Sequence, residues 1–246
     1  MSEQHPPAAF ATVLTDPAHP LIVGGQAVNL WAEIYVPSEP ELHQFEPFTS
    51  KDADIHGDRA LAEILHRRSG WSCRFFDETR QTAVALLTKT GDATTPSLVV
   101  EVLRSVYGIN TADLARNQVR EIRPGEHYRI PAPFVMLKAK LANVAHLSTE
   151  KRPQDLKHAR MLLPISRAYF LEMHAAIGRP DMTERNFLGA VAYATDIITS
   201  RNARTVVERH GLDLLSIFPR SLAESPHEKI RRFALQQLPK IAARLT

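Results

Sequence analysis

The stretch Leu21-Ile22-Val23-Gly24-Gly25-Gln26-Ala27-Val28-Asn29-Leu30-Trp31-Ala32-Glu33-Ile34-Tyr35 decides the fold. Three apolar residues run into two glycines, which predicts a short buried strand and a tight turn. From Gln26 onward, Ala27, Leu30, Trp31 and Ile34 recur at the spacing of one helix face. A strand that passes through glycines into a helix offers backbone N–H groups and a helix start, where phosphates bind readily. Gly25 lets phosphates come close to the backbone because no side chain intervenes. A plain strand-to-helix turn has the same local appearance, so the acidic residues downstream carry the weight.

Residues 51–56 return to strand character and contain Asp52-Ala53-Asp54. Alternate residues of a strand point to one side, so this spacing aims both carboxylates into the same space. Adjacent like charges repel and call for a compensating cation. Magnesium, held by a few carboxylates together with substrate phosphates, is the natural partner. A third acid, Glu101, stands within Leu98-Val99-Val100-Glu101-Val102-Leu103, a run that reads as buried on both faces. An acid in such a run is costly unless it is paired or ligates a metal. A salt bridge to Arg104 or another arginine is the rival explanation.

Around these motifs the first half alternates strands and helices. Residues 58–68 read as a helix with Leu61, Ile64 and Leu65 inward, and residues 73–76, 82–88 and 97–106 read as strands. Residues 36–49, with three prolines and several acids, read as an irregular loop. From Pro133 helical periodicity takes over: residues 134–147 form one helix, and residues 155–163 continue a second after Pro153. Ser225-Pro226-His227-Glu228 is a helix start signal near the end of the chain. The expected fold class is α/β (α+β): a mixed sheet with flanking helices over residues 21–132, then a helical domain over 133–246. Residues 1–20, rich in proline and alanine, are expected to form a loose N-terminal arm.

Apolar strand, Gly-Gly, helix, Asp-x-Asp and a later strand acid, in that order, resemble the DNA polymerase beta-like nucleotidyltransferase superfamily. Further along, Pro133-Phe134-Val135-Met136-Leu137-Lys138-Ala139-Lys140-Leu141 leads into Lys151-Arg152-Pro153-Gln154-Asp155-Leu156. These segments look like the Lys-Leu helix and the Arg-Lys-Pro-x-Asp-Leu segment of the AbiE-type toxin nucleotidyltransferases, from bacterial abortive-infection and toxin–antitoxin systems. The resemblance spans residues 21–163. It implies a nucleoside triphosphate on Gly24 and Gly25, with Asp52, Asp54 and Glu101 around Mg2+ or Mn2+. Lys140 matches the family lysine because Leu141 follows it, with Lys138 as the fallback, and Asp155 matches the family aspartate. A lysine neutralises triphosphate as a point charge, and an aspartate orients or deprotonates an acceptor hydroxyl. The bland alternatives are a solvated helix cation for Lys140 and a helix-start charge for Asp155.

The chain departs from the pattern in several places: Gly24-Gly25-Gln26 stands where many superfamily members have Gly-Ser, although Gly-Gly is common in the AbiE-like branch, and the loop over residues 36–49 is long and acidic. Phe48 replaces an arginine expected shortly before the acidic pair, and Ser50 and Lys51 stand nearby as substitutes for phosphate contact and charge. His158 replaces the second aspartate of the helical motif. The resemblance implies transfer of a nucleoside monophosphate to an acceptor hydroxyl, with RNA, the end of a transfer RNA, as acceptor. A toxin role with an antitoxin protein as partner follows from the same branch. The alternatives are a protein or small-molecule hydroxyl as acceptor, or a non-catalytic binding module on the same fold.

Composition bounds these expectations. A chain of 246 residues holds one large domain or two modest ones. Its single cysteine, Cys73, excludes an intramolecular disulfide and any cysteine-based zinc cluster. The formal net charge is only +3, but Arg116, Arg120, Arg123, Arg129, Lys138, Lys140, Lys151, Arg152, Lys157 and Arg160 gather in the middle third. They read either as a solvated helix surface or as attraction for a phosphate-rich partner. The N-terminus lacks a basic start with an apolar run, and no apolar stretch reaches membrane-spanning length, so a cytoplasmic protein without membrane contact is expected. Trp31 and Trp71 are expected in the core.

Overall fold

In the computed structural model the described residues are 3–76, 82–92, 97–147 and 152–245. The chain opens with a 3-10 turn over Pro7–Phe10 and helix α1 (Ala11–Leu14), then strand β1 (Leu21–Val23) and helix α2 (Gly24–Tyr35). Next come β2 (Ala53–His56), α3 (Arg59–Ser69), β3 (Ser72–Phe75), β4 (Ala83–Lys89) and β5 (Leu98–Leu103). A short α4 (Thr111–Leu114) precedes the hairpin β6 (Asn117–Arg123) and β7 (Glu126–Pro131). The later helices are α5 (Pro133–His146), α6 (Arg152–Ala175), α7 (Glu184–Ile198) and α8 (Arg201–His210). Helix α9 (Glu228–Arg232) continues through a π turn over Phe233–Gln237 into α10 (Leu238–Leu245). The chain divides into two compact units, residues 1–139 and 140–246, so the division falls within α5 rather than ahead of it.

The first unit is built on one seven-stranded mixed sheet in the order β3-β4-β5-β2-β1-β7-β6. β2 runs antiparallel to β1 and parallel to β5, while β1 runs parallel to β7. Along β2 and β5 burial alternates with the strand period: Ala53, Ile55, Val100 and Val102 are fully buried, while Asp54, His56, Glu101 and Leu103 are half-buried. Helices α2 and α3 pack on this sheet. Trp31 of α2 is fully buried, and its indole N–H donates to the Pro131 carbonyl at 2.8 Å, which ties α2 to the end of β7. Helix α3 is bounded chemically at both ends. Asp58 caps its first turn by accepting from the Leu61 N–H, and Gly70 in the left-handed region ends it.

Two stretches differ from the sequence expectation. Residues 3–20 are packed rather than loose: Phe10, Val13 and Leu14 are buried, and His5 forms an antiparallel bridge with Ser50. The apolar side chains of a short amphipathic turn outweigh the local proline and alanine content. Arg120, Arg123 and Arg129 lie on the β6–β7 hairpin, not on a helix surface. Pro124-Gly125 makes the turn, with Gly125 at φ 80°.

The second unit is helical. Its core includes a chain of rings in which Phe170 meets Phe187 at 6.0 Å and Phe218 at 5.4 Å between centroids, and Phe218 meets Phe233 at 5.3 Å. Thr183 and Ser200 cap α7 and α8 through their side-chain oxygens, and Gly211 closes α8. No described helix is long and apolar enough to cross a membrane. Phe170 is fully buried at the centre of the ring chain, so Phe170→Ala should lower the unfolding free energy of this unit by about 3–5 kcal/mol. Urea denaturation followed by circular dichroism measures it, and a loss below about 1 kcal/mol would show that the rings are not the organising core.

Candidate active site

The register of β2 assembles the acids. Asp54 pairs with Val23 of β1 on one side and with Glu101 of β5 on the other. Register partners on adjacent strands share a face, so the two carboxylates leave the same side of the sheet from chains about 4.8 Å apart. Both residues are half-buried. Asp52, expected in the strand, lies in the bend just before it and is also half-buried. The strand begins at Ala53, which points into the buried face.

Gly24 joins the turn to the acidic pair. It is the first residue of α2, with Val23 in the cap position and no side-chain cap. Its φ is +66°, and a Cβ placed on it would fall 1.9 Å from Asp54 Oδ2 and 2.8 Å from Asp54 Cγ. The Asp54 carboxylate therefore occupies the space that any side chain at position 24 would need. Gly-Gly and Asp-x-Asp, far apart in sequence, are in contact in the fold. Gly25 follows in the first turn of α2, half-buried.

The other expected contributors take varied places. Ser50 is buried, bonded through its backbone to His5, and its hydroxyl accepts from Asn29 Nδ2 at 3.3 Å. Lys51 is exposed next to Asp52. Phe48, at the expected arginine position, is buried. Lys138 is one-third exposed, and its Nζ donates to Asp113 Oδ2 at 2.8 Å. Among the described residues no three His, Cys, Asp or Glu side chains are gathered into a set that could hold a metal ion. Magnesium commonly takes one or two carboxylates and completes its shell with phosphate oxygens and water. Asp54 and Glu101, with Asp52 at the strand entrance, suit that manner of binding.

In the second unit Lys140 and Asp155 meet each other. Lys140 Nζ lies 2.7 Å from Asp155 Oδ1, and both side chains are about nine-tenths buried. Asn143 Nδ2 donates to the same carboxylate oxygen at 3.4 Å. Asp155 does stand in the first turn of α6, the helix-start position, but Lys140 is not a solvated cation. Lys151, part of the same motif, lies outside the described residues. His158 is buried beside this pair, and burial first, then the Lys140 and Lys157 charges, holds its imidazole well below the usual histidine range. A neutral histidine thus stands where the motif has an acid, avoiding a third cation beside one carboxylate. Its Nδ1 and Asn143 Oδ1 have no hydrogen-bond partner among the described residues.

Sequence reasoning missed the contribution of the β6–β7 hairpin. Leu21 of β1 pairs with Arg129 of β7 as well as with His56 of β2, so Arg129 shares the face of the acids. The Pro124-Gly125 turn was the available signal. Among the clustered cations Arg123 pairs with Glu33 and Glu126, Lys138 with Asp113 and Lys140 with Asp155, so much of the positive charge is balanced locally.

Lys140→Met should destabilise the fold by about 3–5 kcal/mol because it leaves Asp155 charged and buried, whereas Lys140→Met with Asp155→Leu should recover most of that loss. Chemical denaturation of both variants tests the pair, and equal stability losses would show that the two charges do not depend on each other. Gly24→Ala should cost about 1–2 kcal/mol from its backbone conformation and more from the clash with Asp54. An unchanged melting temperature would show that the close approach is not a constraint. No model of a known protein family matches this chain, and comparison with characterised proteins finds no significant sequence similarity.

Proposed function

We propose that the first unit carries the catalytic centre of a metal-dependent nucleotidyltransferase. The observation that supports this most is the Asp54 carboxylate seated over the bare Cα of Gly24, with Glu101 beside it in register. That arrangement sets a phosphate-accepting turn against carboxylates of the kind that hold magnesium. Gly24 and Gly25 receive the phosphates of a nucleoside triphosphate. Asp52, Asp54 and Glu101 hold Mg2+ or Mn2+ together with those phosphates. The bound ion supplies charge neutralisation at the attacking and leaving oxygens.

In the reaction an acceptor hydroxyl attacks the α-phosphorus in line. The new O–P bond forms as the bond to the bridging oxygen of the β-phosphate breaks, and pyrophosphate leaves. The hydroxyl proton passes to a carboxylate of the acidic group. The chain contributes position and charge compensation rather than covalent chemistry. The acceptor we propose is RNA, the end of a transfer RNA, and the setting a toxin–antitoxin pair; both rest on the sequence resemblance. The resemblance also implies roles for Lys140 and Asp155 as triphosphate neutraliser and acceptor-orienting group; within the second unit the two are paired with each other.

Incubation with labelled nucleoside triphosphates and Mg2+, offering transfer RNA, protein and small-molecule hydroxyls separately, should label the RNA. Asp52→Ala and Asp54→Ala should each cut transfer about a thousandfold or more while the protein stays folded. Full activity in either variant would remove the metal site from the proposal. Failure of the folded wild type to bind Mg2+–nucleotide would instead favour a non-catalytic binding module, and labelling of another acceptor would displace RNA.

A further inference from the structure

Beyond Asp54 the same sheet face continues into a pocket. His56 follows Asp54 by two residues on β2, and Leu21 stands between His56 and Arg129 in one row across three strands. Leu114 of α4 packs on Leu21. His19, in the loop before β1 at φ 47°, and Thr111, at the start of α4, border the opening. The pocket is an open cleft with a volume of about 290 Å³, at the small end of ligand sites, which run from roughly 300 to 1,000 Å³.

Arg129 is oriented within this pocket. Its Nε donates to Asn117 Oδ1 at 2.8 Å, and Asn117 Nδ2 donates to the Leu114 carbonyl at 2.6 Å. That chain of bonds fixes the plane of the guanidinium, which is half-buried. Its two Nη groups meet no acceptor among the described residues. Among the described residues the side chains of His19, His56 and Thr111 make no hydrogen bond either, and no acidic residue lines the pocket. A cation with a fixed fork of open donors, flanked by two imidazoles and a hydroxyl and with no carboxylate among the described lining residues, matches the geometry of a phosphate. By contrast Arg123 has Glu33 and Glu126, and Lys138 has Asp113.

We propose that this pocket binds the phosphate group of a substrate, with Arg129 as its principal ligand and His19, His56 and Thr111 as further donors. The phosphate belongs either to a nucleotide or to a small phosphorylated molecule. Two residues of strand span roughly 7 Å, so a phosphate held here lies within a nucleotide's length of Asp54. Phosphate binding here depends on Arg129 and its surroundings, not on a metal ion, and it is tested without metal.

Titration calorimetry in EDTA with inorganic phosphate, ribose 5-phosphate and adenosine 5′-monophosphate should give saturable binding to the full chain. Arg129→Gln should weaken binding about tenfold or more, while Arg185→Gln, an exposed control on α7, should leave it unchanged. Comparable binding of ribose 5-phosphate and the nucleotide identifies a phosphorylated small molecule as sufficient; binding of the nucleotide alone identifies the nucleotide as the source. Equal affinity in wild type and Arg129→Gln, or no binding to folded wild type, overturns the proposal. Where Arg129→Gln fails to fold, His19→Asn decides, because asparagine tolerates the left-handed backbone; an unchanged affinity in that variant overturns it. Phosphate binding that survives in an inactive Asp54→Ala variant separates this site from the metal centre, and its loss in Arg129→Gln alone leaves the metal reading standing.

Discussion

The approach of Asp54 to Gly24 governs the first unit. For the carboxylate to lie over that Cα, β1 and β2 must pair in one register, β1 must end at Val23, and α2 must begin without a connecting loop. The same register sets Glu101 beside Asp54, because β5 joins β2 on its other edge. Trp31 then anchors the far end of α2 to β7. A single backbone position in the left-handed region thus couples the start of one helix to the order of three strands. Substituting that position disturbs the acids before it disturbs the hydrophobic core.

The second unit is organised by a different balance. Lys140 and Asp155 are buried together, and their mutual attraction offsets a desolvation cost that either charge alone would bear unrelieved. His158 accompanies them as a neutral imidazole chiefly because it is buried, and the Lys140 and Lys157 charges act in the same direction. Asn143 Oδ1 and His158 Nδ1, without a hydrogen-bond partner among the described residues, belong to this buried polar cluster.

Much of this was legible in the residues themselves. The strand–glycine–helix unit, the acids at alternate positions and Glu101 within an apolar run were readable because each carries its own local chemistry. Five strands of the mixed sheet were readable as apolar or β-patterned runs, and the helical second half followed from the change of period near Pro133. Burial of Lys140 was not readable, since lysine is normally solvated and only its partner, fifteen positions away, reverses that. The β6–β7 hairpin was obscured for a related reason. Its outer strand β6 is a sheet edge rich in charged and polar residues, so it imitates a solvated surface, and Pro124-Gly125 marks the turn. The packed N-terminal residues were masked by composition, since three apolar side chains sufficed where proline and alanine dominate.

The pairing of β2 with both neighbours also limits how this chain is able to vary over descent. A side-chain exchange in residues 53–56 alters one contact. Insertion or loss of one residue there turns Asp54 and His56 into the oily interior and brings Ala53 and Ile55 out. Spacing within this short strand is therefore the conserved quantity to look for in any lineage that keeps the site. Length change should accumulate instead in the segment before it, residues 36–49, where a 3-10 turn and irregular backbone absorb extra residues without shifting the frame.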